Sequence, residues 1–408
     1  MEHNQKQLLN IVKYQLFGGI APQIIDSDIS AILKEAQQQT VYTMVFPFLR
    51  KIILQSEPES YAKRNEIFLA NAMSNTANVM EHSELHSLMC SNGIEYSVLK
   101  GLASAYYYPD ASLRDMGDVD FLVGEADYEK AKSAVLGIGF NIDHGDEKDS
   151  IHIAYKRMPR SIWEQHRSIN GIPDTVTGKL IKKETDRIIE TSVTITAEGA
   201  TCRIPDAFHH GLIMLLHLIA HMTSEGIGLR HLCDWAVFAE SIENDEFSEL
   251  FEKKLKNFGL WRFAQIMTLT SQQYLGISHK EWAQNETIDK EHLENVMTDI
   301  LNGGNFGKKD SNRYREIKYI SNRGEKTVDN KNIVSQAFGT LNRKVYHDYR
   351  RIERYRFLLP VGWAAEGGKY LGLLISGKRN SKNTTLMLRE AAKRKDIYSQ
   401  MKLFETEK

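Results

Sequence analysis

At 408 residues, the chain is longer than one hydrophobic core usually organises, so two or three packed units are expected. Its 42% hydrophobic and 26% charged residues exclude wholesale disorder. The net charge of -1 argues against a strongly basic nucleic-acid binder, although residues 341–408 hold about 16 Lys and Arg against 7 Asp and Glu.

Cys90, Cys202 and Cys233 are far apart and lack CxxC spacing, which fits a reducing, cytoplasmic setting. The start, Met1 to Lys6, is polar and has no signal-peptide core, so secretion is not expected. The late apolar stretch from Phe357 to Ser376 is interrupted by Pro360, Glu366, glycines and Lys369, which makes it a poor transmembrane span. Peripheral membrane contact through the basic tail is the membrane role that remains.

Apolar residues at Leu8, Leu9, Ile11, Val12, Leu16 and Phe17, then at Ile29, Ile32, Leu33 and Ala36, recur at helical spacing. From Glu59 to Asn92 there is no Gly or Pro. There Ile67, Leu69, Ala70, Met73, Ala77, Met80, Leu85 and Leu88 suggest an apolar stripe on one long helix that Gly93 stops. Residues 1–92 thus read as an N-terminal helical region.

Ile94 to Leu99 is strand-like and is followed by Lys100-Gly101 and an Ala/Leu-rich turn of helix. Tyr108-Pro109-Asp110 breaks that helix, and Asp118 to Val123 reads as a second buried strand before a helix from Tyr128 to Leu136. Further strands are expected at Ile151 to Lys156, Ser161 to Ser168, and near Thr191 to Ile204. Residues 93–204 form the expected catalytic core, an α/β (α+β) unit with a small mixed sheet.

Pro205-Asp206 opens a long apolar helix through His221, and the helical pattern continues to about Asn302, a C-terminal helical domain over 205–302. Residues 303–340 are polar and read as a linker or loop, and 341–408 as a basic, partly helical tail.

Side chains two apart on a strand point the same way, so Asp118 and Asp120 project together while Val119 and Phe121 pack inward. Such carboxylates suit Mg²⁺, with Mn²⁺ as the alternative, because hard ions keep several positions for water and phosphate. A two-metal site wants a third carboxylate, and Glu164 on a later strand is the candidate, with His166 on the same face. Gly101 allows a backbone to approach phosphate closely, Lys100 and Arg114 add positive charge, and Ser104 follows three residues on. A bare DxD is weak, since strand ends and turns also carry paired acids.

The combined run is more specific: Leu99-Lys100-Gly101, Tyr108-Pro109-Asp110, Ser112-Leu113-Arg114 and Gly117-Asp118-Val119-Asp120-Phe121-Leu122-Val123. It resembles the signature of an uncharacterised nucleotidyltransferase family within the DNA polymerase β-like superfamily. The resemblance implies a glycine-bearing phosphate loop, an arginine ahead of the acids and a D-x-D pair, matched by Lys100, Gly101, Arg114, Asp118 and Asp120. It also implies an acidic residue followed two later by His, similar to Glu164 and His166. A helix with a late histidine is similar to Leu215 to His221, which makes His217 a candidate outer partner. The likeness covers roughly residues 5–300. One departure is that Leu102 follows Gly101, where the superfamily commonly has Ser or Gly.

His210, His217 and His221 share a helix face, yet neither HExxH nor a cysteine pair supports a zinc site, so structural or outer-partner roles are the reading. Arg230-His231 with Asp234 suit either the lining of a cleft between sheet and helical domain or a helix-surface ion pair, which explains them as well or better, and they are kept out of the catalytic set. Tyr346, Tyr349, Arg350, Arg351, Tyr355 and Lys393-Arg394-Lys395 suit either an anionic partner or a solvated helix face. The expected activity is transfer of an NMP group from an NTP to a small-molecule, peptide or protein acceptor, with pyrophosphate leaving. The alternative is a nucleotide-binding regulatory protein with little turnover.

Overall fold

The computed structural model describes residues 1–24, 28–147 and 150–310, the isolated positions 313, 321–322, 327–328, 342 and 345, and the segments 358–366 and 381–406. Tyr346, Tyr349, Arg350, Arg351 and Tyr355, and most of the expected linker over 303–340, lie outside these residues.

The chain opens with helices α1 (His3–Phe17), α2 (Ile29–Gln39), α3 (Tyr42–Ser56) and the long α4 (Pro58–Ser91). A five-stranded mixed sheet follows, built from β1 (Tyr96–Val98), β2 (Val119–Val123), β3 (Asn141–His144), β4 (His152–Arg157) and β5 (Ser161–His166). The spatial order is β1-β2-β5-β4-β3, with β2 and β5 parallel and the other neighbours antiparallel. The short helix α5 (Leu102–Ala105) follows β1, and α6 (Tyr128–Gly137) follows β2.

The expected strands appear close to where alternation places them, and β3 is an addition. Asn141–His144 is mostly exposed, so it carries no hydrophobic alternation and is a strand only because β4 pairs with it at the sheet edge. The region near Thr191 to Ile204 is not one strand but a hairpin, β6 (Val193–Ala197) with β7 (Ala200–Ile204), separate from the main sheet.

After the hairpin come α7 (Ala207–Met222), α8 (Leu229–Glu240), α9 (Trp261–Tyr274) and α10 (Lys290–Gly303). Asp206 caps α7 by accepting from the His209 N–H at 2.8 Å, as the Pro205-Asp206 start signal requires. Residues of α1 to α3 and of α7 to α10 belong to one continuous apolar core, so helices at opposite ends of the sequence pack as one body. A second core, with Val119, Phe121, Val123 and Trp163, lies between the other face of the sheet and α4 and α6.

The stripe expected on α4 faces inward only in part: Leu85 is buried, and Ile67 and Leu88 pack partly buried against the two cores. Leu69, Met73 and Met80 are 50%, 72% and 68% exposed, whereas Asn75, Asn78, Val79, His82, Leu85 and Met89 are buried. The inward residues recur every three or four positions, and three of them are polar because they bond to a loop. Asn75 accepts from the Met116 N–H at 2.9 Å and donates to the Ser112 carbonyl at 3.4 Å, and Asn78 donates to the Gly117 carbonyl at 3.3 Å. The helix therefore fixes the backbone that leads into Asp118.

The C-terminal helix Ser381–Gln400 returns to the helical body. Arg394 is buried there and its Nε donates to Asp299 Oδ1 at 2.9 Å. Arg394 thus anchors the tail, neither a solvated face nor a charge offered to a partner. No helix among the described residues is long and apolar enough to cross a membrane.

Candidate active site

The parallel pairing of β2 with β5 sets Asp120 opposite Glu164 and Leu122 opposite His166. Because side chains alternate, Asp120 and Leu122 face the helical body while Val119 and Phe121 enter the second core. Asp118 stands just before β2 on the same side, and ligand atoms of Asp118, Asp120 and Glu164 all lie within 4.8 Å of one another. The structure thus brings the three expected carboxylates together.

Asp120 is 1% exposed and doubly partnered. Lys100 Nζ donates to its Oδ1 at 2.9 Å, and His166 Nε2 lies 3.0 Å from the same oxygen. Burial alone would raise the Asp120 pKa, but Lys100 and His166 together hold it far below the usual carboxylate range. Asp118 has the opposite fate: the Asp120 charge, then burial, pushes its carboxyl up to about 6. Burial pulls the His166 pKa down, but its bonds to Asp120 and Glu164 outweigh that and the net shift is upward. A buried pair of like charges with one lysine between them is the electrostatics a divalent cation relieves, so the donor set fits the expected ion.

Lys100 therefore neutralises a carboxylate on the cleft lining. Gly101 has φ +63°, and a Cβ there would sit 2.8 Å from His82 Nε2. His82 Nδ1 lies 2.7 Å from the Asn78 carbonyl and so carries the proton, which leaves Nε2 to accept from the Leu102 N–H at 3.4 Å. Burial holds the His82 pKa down to about 4, so the ring stays neutral. The glycine is needed because a histidine from α4 closes against the loop, and the helix behind it has only four residues. Ser104 is buried and lines the cleft with Gly101.

Arg114 departs most from expectation. Its Nε and Nη2 donate to Asp234 Oδ1 and Oδ2 at 2.7 and 2.9 Å, and the Tyr108 hydroxyl donates to the same Oδ1 at 2.7 Å. Both members of this fork are buried, so Arg114 ties the loop before β2 to α8 through Nε and Nη2 while it also lines the cleft. Arg230, His231 and Asp234 are correspondingly not a surface pair: all three line the cleft.

The histidines of α7 divide between two places. His210 packs on Tyr107, with ring centroids 5.2 Å apart, and burial lowers its pKa to about 3, so it is a core residue. His217 and His221 pack edge-on at 4.4 Å, and both lie tilted against His231 at 5.3 and 5.6 Å, on the helical wall of the cleft. Neither forms a metal-ligating cluster among the described residues.

That wall also carries Arg230, together with Phe306 and Lys308, for which the sequence holds no signal. Arg230 Nη1 donates to the Asp115 carbonyl at 2.9 Å, while its buried Nε has no hydrogen-bond partner among the described residues. Burial and then the Arg230 charge lower the pKa of Lys308, against the opposing charge of Asp115, and both cations line this wall. Phe306, at φ +53°, packs on His221 and His231 with centroids 4.7 and 5.2 Å away.

Residues 26–276 match the model of a family described as an uncharacterised nucleotidyltransferase. The chain belongs to that family. No curated protein matches it. Membership supports a role in nucleotidyl transfer, and the acidic cluster is compatible with it. For a member of this nucleotidyltransferase family, the matched span holds every residue from Lys100 to Asp234 discussed above, whereas Phe306 and Lys308 lie beyond it.

Proposed function

We propose that the protein transfers an NMP group from an NTP to an acceptor hydroxyl or phosphate, with pyrophosphate leaving. The observation that carries this reading is the convergence of Asp118, Asp120 and Glu164 at the floor of a cleft whose other wall is cationic. Asp118, Asp120 and Glu164 would hold Mg²⁺, or Mn²⁺ in its place. When bound, such an ion supplies positive charge against the phosphate oxygens and favours the deprotonated acceptor.

The chain's own residues then divide the work. Lys100 and His166 keep Asp120 ionised, so it stays a ligand across the physiological range. Arg230 and Lys308, with Arg114 on the same cleft lining, are the cations that would face a polyphosphate. Gly101 and Ser104 border the path between the two walls.

The test is a thermal-shift panel of four NTPs with and without Mg²⁺, on wild type and on the Asp118→Asn, Asp120→Asn double variant. A ligand at one hundred times its Kd stabilises by about 2.7 kcal/mol, well within reach of the assay. The expected result is an Mg²⁺-dependent shift by at least one NTP that the double variant lacks. Absence of any shift overturns the reading. A shift without pyrophosphate release across a panel of acceptors favours nucleotide-dependent regulation instead.

A further inference from the structure

Beside the carboxylates lies a second ligand set that the transfer reaction does not call for. His152, Glu164 and His166 offer ligand atoms that all lie within 4.8 Å of one another. The antiparallel pairing of β4 with β5 puts His152 directly opposite His166, and Glu164 is two residues before His166 on the same face of β5. His152 Nε2 is 3.8 Å and His166 Nε2 is 3.4 Å from Glu164 Oε2, and the two rings are 4.9 Å apart.

We propose that His152, Glu164 and His166 form a distinct site for a borderline divalent transition-metal ion, of the Zn²⁺ class, next to the all-oxygen carboxylate pair. Two imidazole nitrogens with one carboxylate suit such ions, whereas Mg²⁺ prefers oxygen alone. All three ligands stand on two paired strands, so the backbone holds them in place before an ion arrives. The His152 and Glu164 side chains are 30% and 21% exposed, which gives entry from the cleft and leaves coordination positions for water or substrate. The ion's arrival exchanges the His166 bond to Asp120 for a metal bond, and Lys100 still neutralises Asp120.

The site shares Glu164 with the proposed nucleotide centre and rests on that reading only there. Its test therefore uses no nucleotide and reads no turnover. Co²⁺ is titrated alone into the full chain, as wild type, H152A, H152Q and D118N, and followed by its visible ligand-field bands, with circular dichroism confirming that each variant is folded. Losing even an outer partner of a metal ligand costs about 10–100-fold in affinity. H152A and H152Q, which remove a ligand itself, are expected to weaken Co²⁺ binding by about 100-fold or more, with D118N close to wild type. The proposal is overturned if wild type binds no Co²⁺, if both His152 variants bind it as wild type does, or if D118N alone abolishes it. Failure here leaves the Mg²⁺-NTP thermal shift standing, and loss of that shift in the panel leaves this titration unaffected.

Discussion

Asp120 and Glu164 are direct partners across the parallel β2 and β5 pair, so two carboxylates separated by 44 positions meet on one face of the sheet through backbone register alone. A one-residue slip of β5 would turn Glu164 away and present Trp163 or Gln165 instead. The register is held from the opposite face, where Trp163 packs edge-on against Phe121 at 6.2 Å and donates from Nε1 to Glu81 on α4 at 3.0 Å.

In the metal-free protein, Asp118 should titrate near 6, and in an Asp120→Asn variant its pKa should fall toward the usual carboxylate range, because the Asp120 charge is the largest cause of the shift. Carboxyl-carbon NMR titration reads this directly. The sign for stability follows: a raised folded pKa contributes stability at low pH that is lost as pH rises through about 6. An unmoved Asp118 titration in the variant would refute the coupling.

Gly101→Ala forces a Cβ to within 2.8 Å of His82 Nε2 on a backbone at φ +63°. The expected cost is about 1–3 kcal/mol by chemical denaturation. Adding His82→Ala should return part of it, since the steric component disappears while the backbone strain stays. Strict additivity in the double-mutant cycle would show that the histidine contact does not set the loop.

Asp234→Ala leaves the buried Arg114 guanidinium without its carboxylate and is expected to destabilise by about 3–5 kcal/mol. Arg114→Met together with Asp234→Leu should cost less than Asp234→Ala alone, because no charge is then left buried. Urea midpoints of wild type and the two variants decide this. If Asp234→Ala instead costs nothing while nucleotide affinity falls, Arg114 serves the phosphates after all.

Burial keeps His210 neutral with a pKa of about 3, while the unfolded chain takes up a proton near 6.5. The unfolded state thus binds more protons between those values, so stability is full above 6.5 and is lost as pH falls toward about 3. His210→Phe, which keeps a ring between Tyr107 and Phe238, should flatten the fall in Tm below pH 6.5. An identical slope in the variant would place the acid sensitivity elsewhere.

Some of this protein was legible in single-chain order. The period of two puts Asp118 and Asp120 on one side of a strand, and Pro205-Asp206 starts a helix where the cap bond forms, because both signals act within a few residues. Glu164 was found the same way, by alternation on a strand that the sequence also delimits. The long helix α4 was visible as well, but its inward face only in part: Leu85 stood in the expected stripe, whereas Asn75, Asn78 and His82 are buried for their bonds to a loop and not for hydrophobicity.

What tertiary structure alone decided is who meets whom. Arg114 finds Asp234 at a separation of 120 residues, His152 finds His166 through antiparallel register, and Arg230 and Lys308 share a wall built from separate segments. No local period encodes such meetings. Helical and strand preferences fix which way a side chain points from its own element, but the packing of a shared core fixes what lies opposite.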